Sequence, residues 1–283
     1  MRSYEQSNSF PRWSELLHKA VTEPGVISQA FSRFHNYSLG NQLLALQQCQ
    51  LRHIEPGPIA TFPRWKELGR YVRKGEKALT LCMPITVKAT KATAPPPEAD
   101  NTPAKDEEFI LTRFAYKAHW FVLAQTDGAE YKPEPVPGWN EERGLVALDI
   151  RRVAFGMPDG NLQGYAMKRE VAINPLAELQ YSTLFHEVAH IILGHTAEGS
   201  INSDSTDRTP RNIRELEAEC VALLCCESLG LPGAAESRGY IQSWFKGHEV
   251  PERSAQRIFH AADTILKAGR TTNLLAGEAT PCA

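Results

Sequence analysis

Apolar residues recur at helical spacing at both ends of the chain and at alternating spacing between them. Trp13 to Ala20 is amphipathic, Val26 to Phe34 repeats the pattern, and Gly40 to Gln50 carries Leu43, Leu44 and Leu46. After the turn at Pro56-Gly57-Pro58, Phe62 to Tyr71 is expected to be helical from Pro63. Ala78 to Val87 reads as a strand interrupted by Pro84, and Phe109 to Thr126 as a second, rich in aromatics. Between them, residues 90–108 shift to Ala, Thr, Pro and acids, a loop within one domain. The domain boundary is expected where Pro133, Pro135, Pro137 and Gly138 cluster. Beyond it, Leu145 to Val153 leads to a buried strand at Val171–Ile173. Asn174 and Pro175 then serve as N-cap and first residue of a helix that stops at Gly194. Thr209-Pro210 opens another helix, closed by Gly230 and Pro232; further helices follow, and the tail past Gly269 is loose. The pattern predicts an α+β chain of two domains without internal repeats. Residues 1–127 form a small mixed domain, 128–144 a linker, and 145–283 a mainly helical domain with a small sheet.

Within that second domain, residues 184–195 read Leu-Phe-His-Glu-Val-Ala-His-Ile-Ile-Leu-Gly-His. His186 and His190 are four apart, so on a helix they share a face and can clamp one cation. Glu187 stands beside them as general base for an attacking water. Surrounding apolar residues predict burial, which is costly for two imidazoles and an acid without partners. A catalytic zinc takes three protein ligands and leaves a fourth position open. His195 is at the wrong offset for the third and reads as a helix-end residue. Downstream, Glu215 and Glu219 lie one turn apart on one face of the next helix, with small Ala218 and Ala222 beside them. Glu215 is the expected ligand, and Glu219 the acid that orients a ligating histidine through a hydrogen bond. Glu217 points away from that pair; the competing reading pairs the acids with Arg211 and Arg214. Zn2+ suits the His/His/Glu set, with Mn2+ as an alternative.

Composition narrows the setting. With 42% hydrophobic and 23% charged residues the chain is an ordinary globular protein. No apolar run approaches a membrane span, and Met1 to Trp13 lacks the apolar stretch of a signal peptide. The six cysteines show no C-x-x-C spacing and read as buried thiols of a reducing cytoplasm. The net charge of −2 hides an asymmetry: residues 1–90 carry +6 and the remainder −8. Only the front is suited to a polyanion.

That front holds Arg64, Lys66, Arg70, Arg73, Lys74 and Lys77 in one short segment interleaved with Trp65 and Tyr71; His35, Asn36, Tyr37 and Asn41 lie upstream. Cations for phosphates and aromatic faces for bases are what sequence-tolerant binding of single strands requires. The alternative is a solvated face with core aromatics. The stretches Phe34-His-Asn-Tyr-Ser-Leu-Gly-Asn-Gln-Leu-Leu and Ala60-Thr-Phe-Pro-Arg-Trp-Lys-Glu-Leu-Gly-Arg-Tyr-Val-Arg-Lys-Gly-Glu-Lys-Ala-Leu resemble the N-terminal domain of ArdC-type antirestriction proteins. That resemblance implies an N-terminal module that binds single-stranded DNA without strong base preference. A zincin-like metallopeptidase domain, similar to the ImmA/IrrE and SprT-like peptidases, is implied to follow. It also implies protection of incoming conjugative DNA from restriction, with a host restriction subunit as a candidate protein substrate. Tyr165, Tyr240 and His248 are the candidates for an oxyanion-stabilising helper. Two other readings stand beside this one. One is a single-strand coat whose metal domain is structural or docks a partner; the other is a DNA-dependent protease acting on DNA-bound proteins.

Overall fold

The computed structural model describes residues 10–89, 109–156, 161–196, 209–245 and 249–271. In chain order these form α1 (Trp13–Thr22), α2 (Val26–Phe34), α3 (Leu39–Leu51), β1 (Ile59–Thr61), α4 (Phe62–Glu67), β2 (Arg70–Val72), β3 (Leu79–Ala89) and β4 (Phe109–Val122). Then come β5 (Thr126–Gly128), β6 (Gly138–Trp139), α5 (Glu141–Ala147), β7 (Arg151–Arg152), β8 (Gly164–Met167) and β9 (Glu170–Ile173). The chain closes with α6 (Gln180–Ile192), α7 (Arg211–Leu229), α8 (Ala234–Phe245), α9 (Glu252–Ala268) and β10 (Arg270–Thr271). The fold is α+β. The Pro-rich segment 90–108 and His248 lie outside the described residues.

Contacts divide the chain into two compact units, residues 47–131 and residues 1–46 together with 132–283. The expected domain of residues 1–127 is therefore split: α1 and α2 pack with the back half of the chain. The reason is visible at three helix N-termini, where backbone N–H groups lack partners within their own helix. Glu252 of α9 accepts from Trp13 and Ser14 N–H, both at 2.9 Å. Glu227 of α7 accepts from Gly25 N–H at 2.7 Å, just ahead of α2. Asp263 of α9 accepts from Leu39 N–H at 2.9 Å, at the first residue of α3. Each acid also meets the positive end of a helix dipole.

The helical unit is built around α7, buried almost continuously from Leu216 to Ser228 and packed by α6, α8, α9 and α2. Trp139 closes one side, its indole N–H donating to Ile265 O at 2.9 Å and its ring edge-on to Phe185. The small sheet runs in the order β7-β9-β8, with β9 central, parallel to β7 and antiparallel to β8. The helix expected from Pro175 starts at Gln180. Asn174 instead closes a tight turn, its Oδ1 accepting from Leu176 N–H at 2.9 Å.

In the middle unit, β4 pairs with β1 and along its length with β3. The helix expected over Phe62–Tyr71 ends at Glu67, and Arg70–Val72 turns into a strand against β5. A register shift at Leu79/Thr80 lets Trp120 and Val122 turn into the core with Leu79 and Leu81. Phe114 and Tyr116, two apart on β4, share the other face and remain exposed. Trp65 is 1% exposed, with its indole N–H on Phe121 O at 2.9 Å. Among the described residues no helix is long and apolar enough to cross a membrane.

Candidate metal centre

Helices α6 and α7 lie against each other and bring His186, His190 and Glu215 together, one ligand atom of each within 4.8 Å of the others. The spacing is tighter than that limit. His186 Nε2 and His190 Nε2 are 3.1 Å apart, and Glu215 Oε2 stands 3.5 and 3.6 Å from them. Three ligands of a tetrahedral ion at about 2.0–2.1 Å are separated by about 3.4 Å. The donor set and its spacing fit one divalent cation, with Glu215 half-exposed on the open side.

Each histidine is held from behind. His186 Nδ1 lies 2.9 Å from Glu219 Oε2. His190 Nδ1 lies 2.9 Å from His195 Nδ1, and His195 Nε2 lies 3.0 Å from Glu217 Oε2. Sequence reasoning placed Glu219 here but missed the second arrangement. The available signal was Gly194: with φ of +76° it ends α6 by turning the chain back, so that His195 N–H bonds His190 O at 2.8 Å.

Burial alone would lower the pKa of His186, but its hydrogen bonds to Glu215 and Glu219 raise it to about 10. Burial, then the charge on His186, push His190 down to about 4. The hydrogen bond to His186 holds Glu215 down at about 2. Glu219 feels burial in the opposite direction, yet its bonds to His186 and Ser237 keep it below the usual carboxylate range. Glu187 is the exception: burial raises its pKa, aided by Glu215 and opposed by His186. One acid inclined to keep a proton thus sits beside two that surrender theirs. Strand β8 passes close by, and a Cβ on Gly164 would meet Thr183 Cγ2 at 2.8 Å and Glu187 Cγ at 3.2 Å. Of the helper candidates, Tyr165 is half-buried on β8 beside Phe155, and Tyr240 is exposed on α8.

The nucleic-acid candidates divide differently. His35, Asn36, Tyr37 and Asn41 fall in the helical unit, around the α2–α3 turn. Asn36 is bonded to Glu134 and Arg270, and Asn41 is buried. The segment Arg64 to Lys77 belongs to the middle unit. There Trp65 is a core residue and offers no face to a base, because its ring is enclosed. Arg70 is committed to Thr126 and Ala129, Arg73 to Glu76, Ala124 and Asp127, and Arg64 to Glu67. Lys66, Lys74 and Lys77 are exposed. Tyr71 is exposed, and so are Phe62, Phe114 and Tyr116, aromatics of this unit that sequence reasoning did not single out for this role.

Residues 6–119 match the family described as the N-terminal domain of anti-restriction factor ArdC. The fold is similar to the crystal structure of the antirestriction protein ArdC from plasmid R388 in its metal-free form. That match has a TM-score of 0.53 and 21% identity, and it covers 91% of this chain and 97% of that one. The Mn(II)-bound structure of the same R388 protein aligns with a TM-score of 0.50 at 21% identity, over 94% of this chain and all of that one. An uncharacterized protein of Bacillus anthracis is 25% identical over 85% of this chain, which spans 46% of that relative's length.

Proposed function

From its ArdC N-terminal domain over residues 6–119, carried on an ArdC-type fold, we propose that this chain is an antirestriction protein with two activities. It binds single-stranded DNA through the middle unit and carries a metal-dependent peptidase centre at His186, His190 and Glu215. The observation that carries the reading is the spacing of those three donors beside Glu187. Protection of incoming DNA puts its work in the cytoplasm. Zn2+ suits two imidazoles and a carboxylate, and Mn2+ is the ion named for the R388 protein. When bound, such an ion supplies Lewis acidity, polarising a carbonyl and easing deprotonation of water. Glu187 contributes the proton transfer: its carboxylate takes a proton from the attacking water and returns it to the departing amine nitrogen. Its raised pKa suits a group that must both accept and donate near neutral pH. Glu219 keeps His186 oriented, and Gly164 leaves room for Glu187.

For DNA, residues 47–89 and 109–131 carry ten Lys and Arg against five acids. The exposed face of Phe114 and Tyr116 offers stacking surfaces, and Lys66, Lys74, Lys77, Arg113 and Lys117 offer cations for phosphates. Affinity is expected to fall steeply with salt, as counterion release requires.

Glu187→Ala separates the two activities. The variant is expected to keep the metal and bind DNA as before, while hydrolysis of a restriction subunit stops. Retained hydrolysis would remove Glu187 from the mechanism. Full protection of DNA by this variant would leave coating as the antirestriction activity, and hydrolysis only in the presence of strand DNA would favour a DNA-dependent protease.

A further inference from the structure

We propose that His195 and Glu217, steadied by Arg257, form a positioning relay that orients His190 for metal binding. The inference rests on the metal-centre reading above and extends it to residues that touch no ion.

The geometry allows one consistent set of protons. His190 presents Nε2 to His186 Nε2 and Glu215, so that nitrogen must be bare to ligate. Its proton then sits on Nδ1 and is donated to His195 Nδ1 at 2.9 Å. His195 accepts there, which puts its own proton on Nε2, donated to Glu217 Oε2 at 3.0 Å. The chain ends on a carboxylate with no solvent exposure. Such a group is costly to bury without a counter-charge. Arg257 of α9 supplies it at 3.4 Å while donating to Leu193 O at 2.6 Å and to Thr209 Oγ1 at 3.3 Å. One guanidinium thus fixes both the acid and the end of α6.

The two ligating histidines are therefore supported in different ways. Glu219 lies on the same face of α7 as Glu215 and reaches His186 directly. Glu217 is about 200° around the helix from Glu215 and cannot. His195, folded back by the turn at Gly194, bridges that gap. A carboxylate transmitted through an imidazole fixes the tautomer and ring orientation of His190, as a direct partner would.

The test is the affinity of the full chain for Zn(II) alone, measured by chelator competition. His195→Phe keeps a ring and removes both nitrogens, and is expected to weaken binding by about 10- to 100-fold. His195→Gln restores an acceptor and a donor at similar separation and is expected to recover most of the loss. In the zinc-loaded wild type, the His190 Nδ1–H resonance should appear as a hydrogen-bonded imidazole proton, absent in His195→Phe. Should His195→Phe fail to fold, Glu217→Gln is read instead, with weaker zinc binding expected. Wild-type affinity in His195→Phe, or in Glu217→Gln where that is the variant read, overturns the relay, as does a His195→Gln variant no better than the phenylalanine. A wild-type chain that takes up no Zn(II) overturns the metal centre itself and the relay with it.

Discussion

His186 bridges two carboxylates, its Nδ1 2.9 Å from Glu219 and its Nε2 3.5 Å from Glu215. Without a cation, that imidazole holds its proton up to about pH 10, whereas His190, at about 4, is already neutral at pH 7. Metal binding at pH 7 must therefore expel about one proton, and it comes from His186. Apparent affinity should rise about tenfold per pH unit from pH 6 toward 10 and then level off. Calorimetry in buffers of different ionisation enthalpy counts the released protons; a count of zero at pH 7 would contradict the assignment.

Asp263 gives a pH-dependent stability of the opposite kind from an ordinary acid. Burial raises its pKa to about 6, against the pull of Leu39 N–H, Lys267 and His260. A folded pKa above the unfolded value favours folding below about pH 4, and that contribution is lost as pH rises through 6. Asp263→Asn still accepts from Leu39 and carries no charge, so it should stabilise the chain at pH 7–8 by at most about 3 kcal/mol. The gain should vanish near pH 3.5. Melting curves across that range check it, and a constant difference would sink it.

The buried pair of Glu227 and Arg238 ties α1 and α2 to α8 and to α7, the helix that carries Glu215. Arg238 bonds Glu227 and also Ala20 O and Val21 O at the end of α1. Glu227→Leu leaves that guanidinium without its counter-charge and should cost about 3–5 kcal/mol in chemical unfolding. Replacing Arg238 by Met in the same chain should recover part of the loss. A chain beginning at residue 47 should bind Zn(II) far more weakly than the full chain, for want of the same packing.

Phe114 and Trp65 should separate binding from folding. Phe114 is 73% exposed, so Phe114→Ala should leave the melting temperature unchanged. Single-strand affinity should fall by roughly 5- to 150-fold, from about 1–3 kcal/mol of stacking. Trp65→Ala opens the core and should cost about 3–5 kcal/mol. Fluorescence anisotropy and melting on both variants decide the matter; unchanged binding in Phe114→Ala would move the stacking surface elsewhere.

What the sequence revealed follows the range of the interactions. His186, Glu187 and His190 are arranged by one turn of helix, and Glu215 and Glu219 by another, so periodicity alone predicts which share a face. His195 depends on a chain reversal at Gly194 followed by a contact with α7, which no periodicity encodes. Trp65 and Phe114 are equally aromatic on paper; only the sheet decides which is enclosed. Asn174 carries an N-cap signal but spends its carbonyl on a turn, delaying α6 to Gln180. The prolines after residue 131 mark the end of the middle unit, yet the outer unit begins again upstream of it. Its caps on α1, α2 and α3 come from Glu252, Glu227 and Asp263, invisible to any local window.

Those caps are separated from the helices they close by 239, 202 and 224 residues. On the ribosome, α1 to α3 therefore emerge long before the acids that complete them. At about 5–20 residues per second, the interval is roughly 10–50 s. Isolated helices of their length are marginal in water, so the opening segments wait unfolded. Residues 47–131 make up a compact unit that is translated earlier, whereas the beginning of the chain is capped only once α7 and α9 have been made.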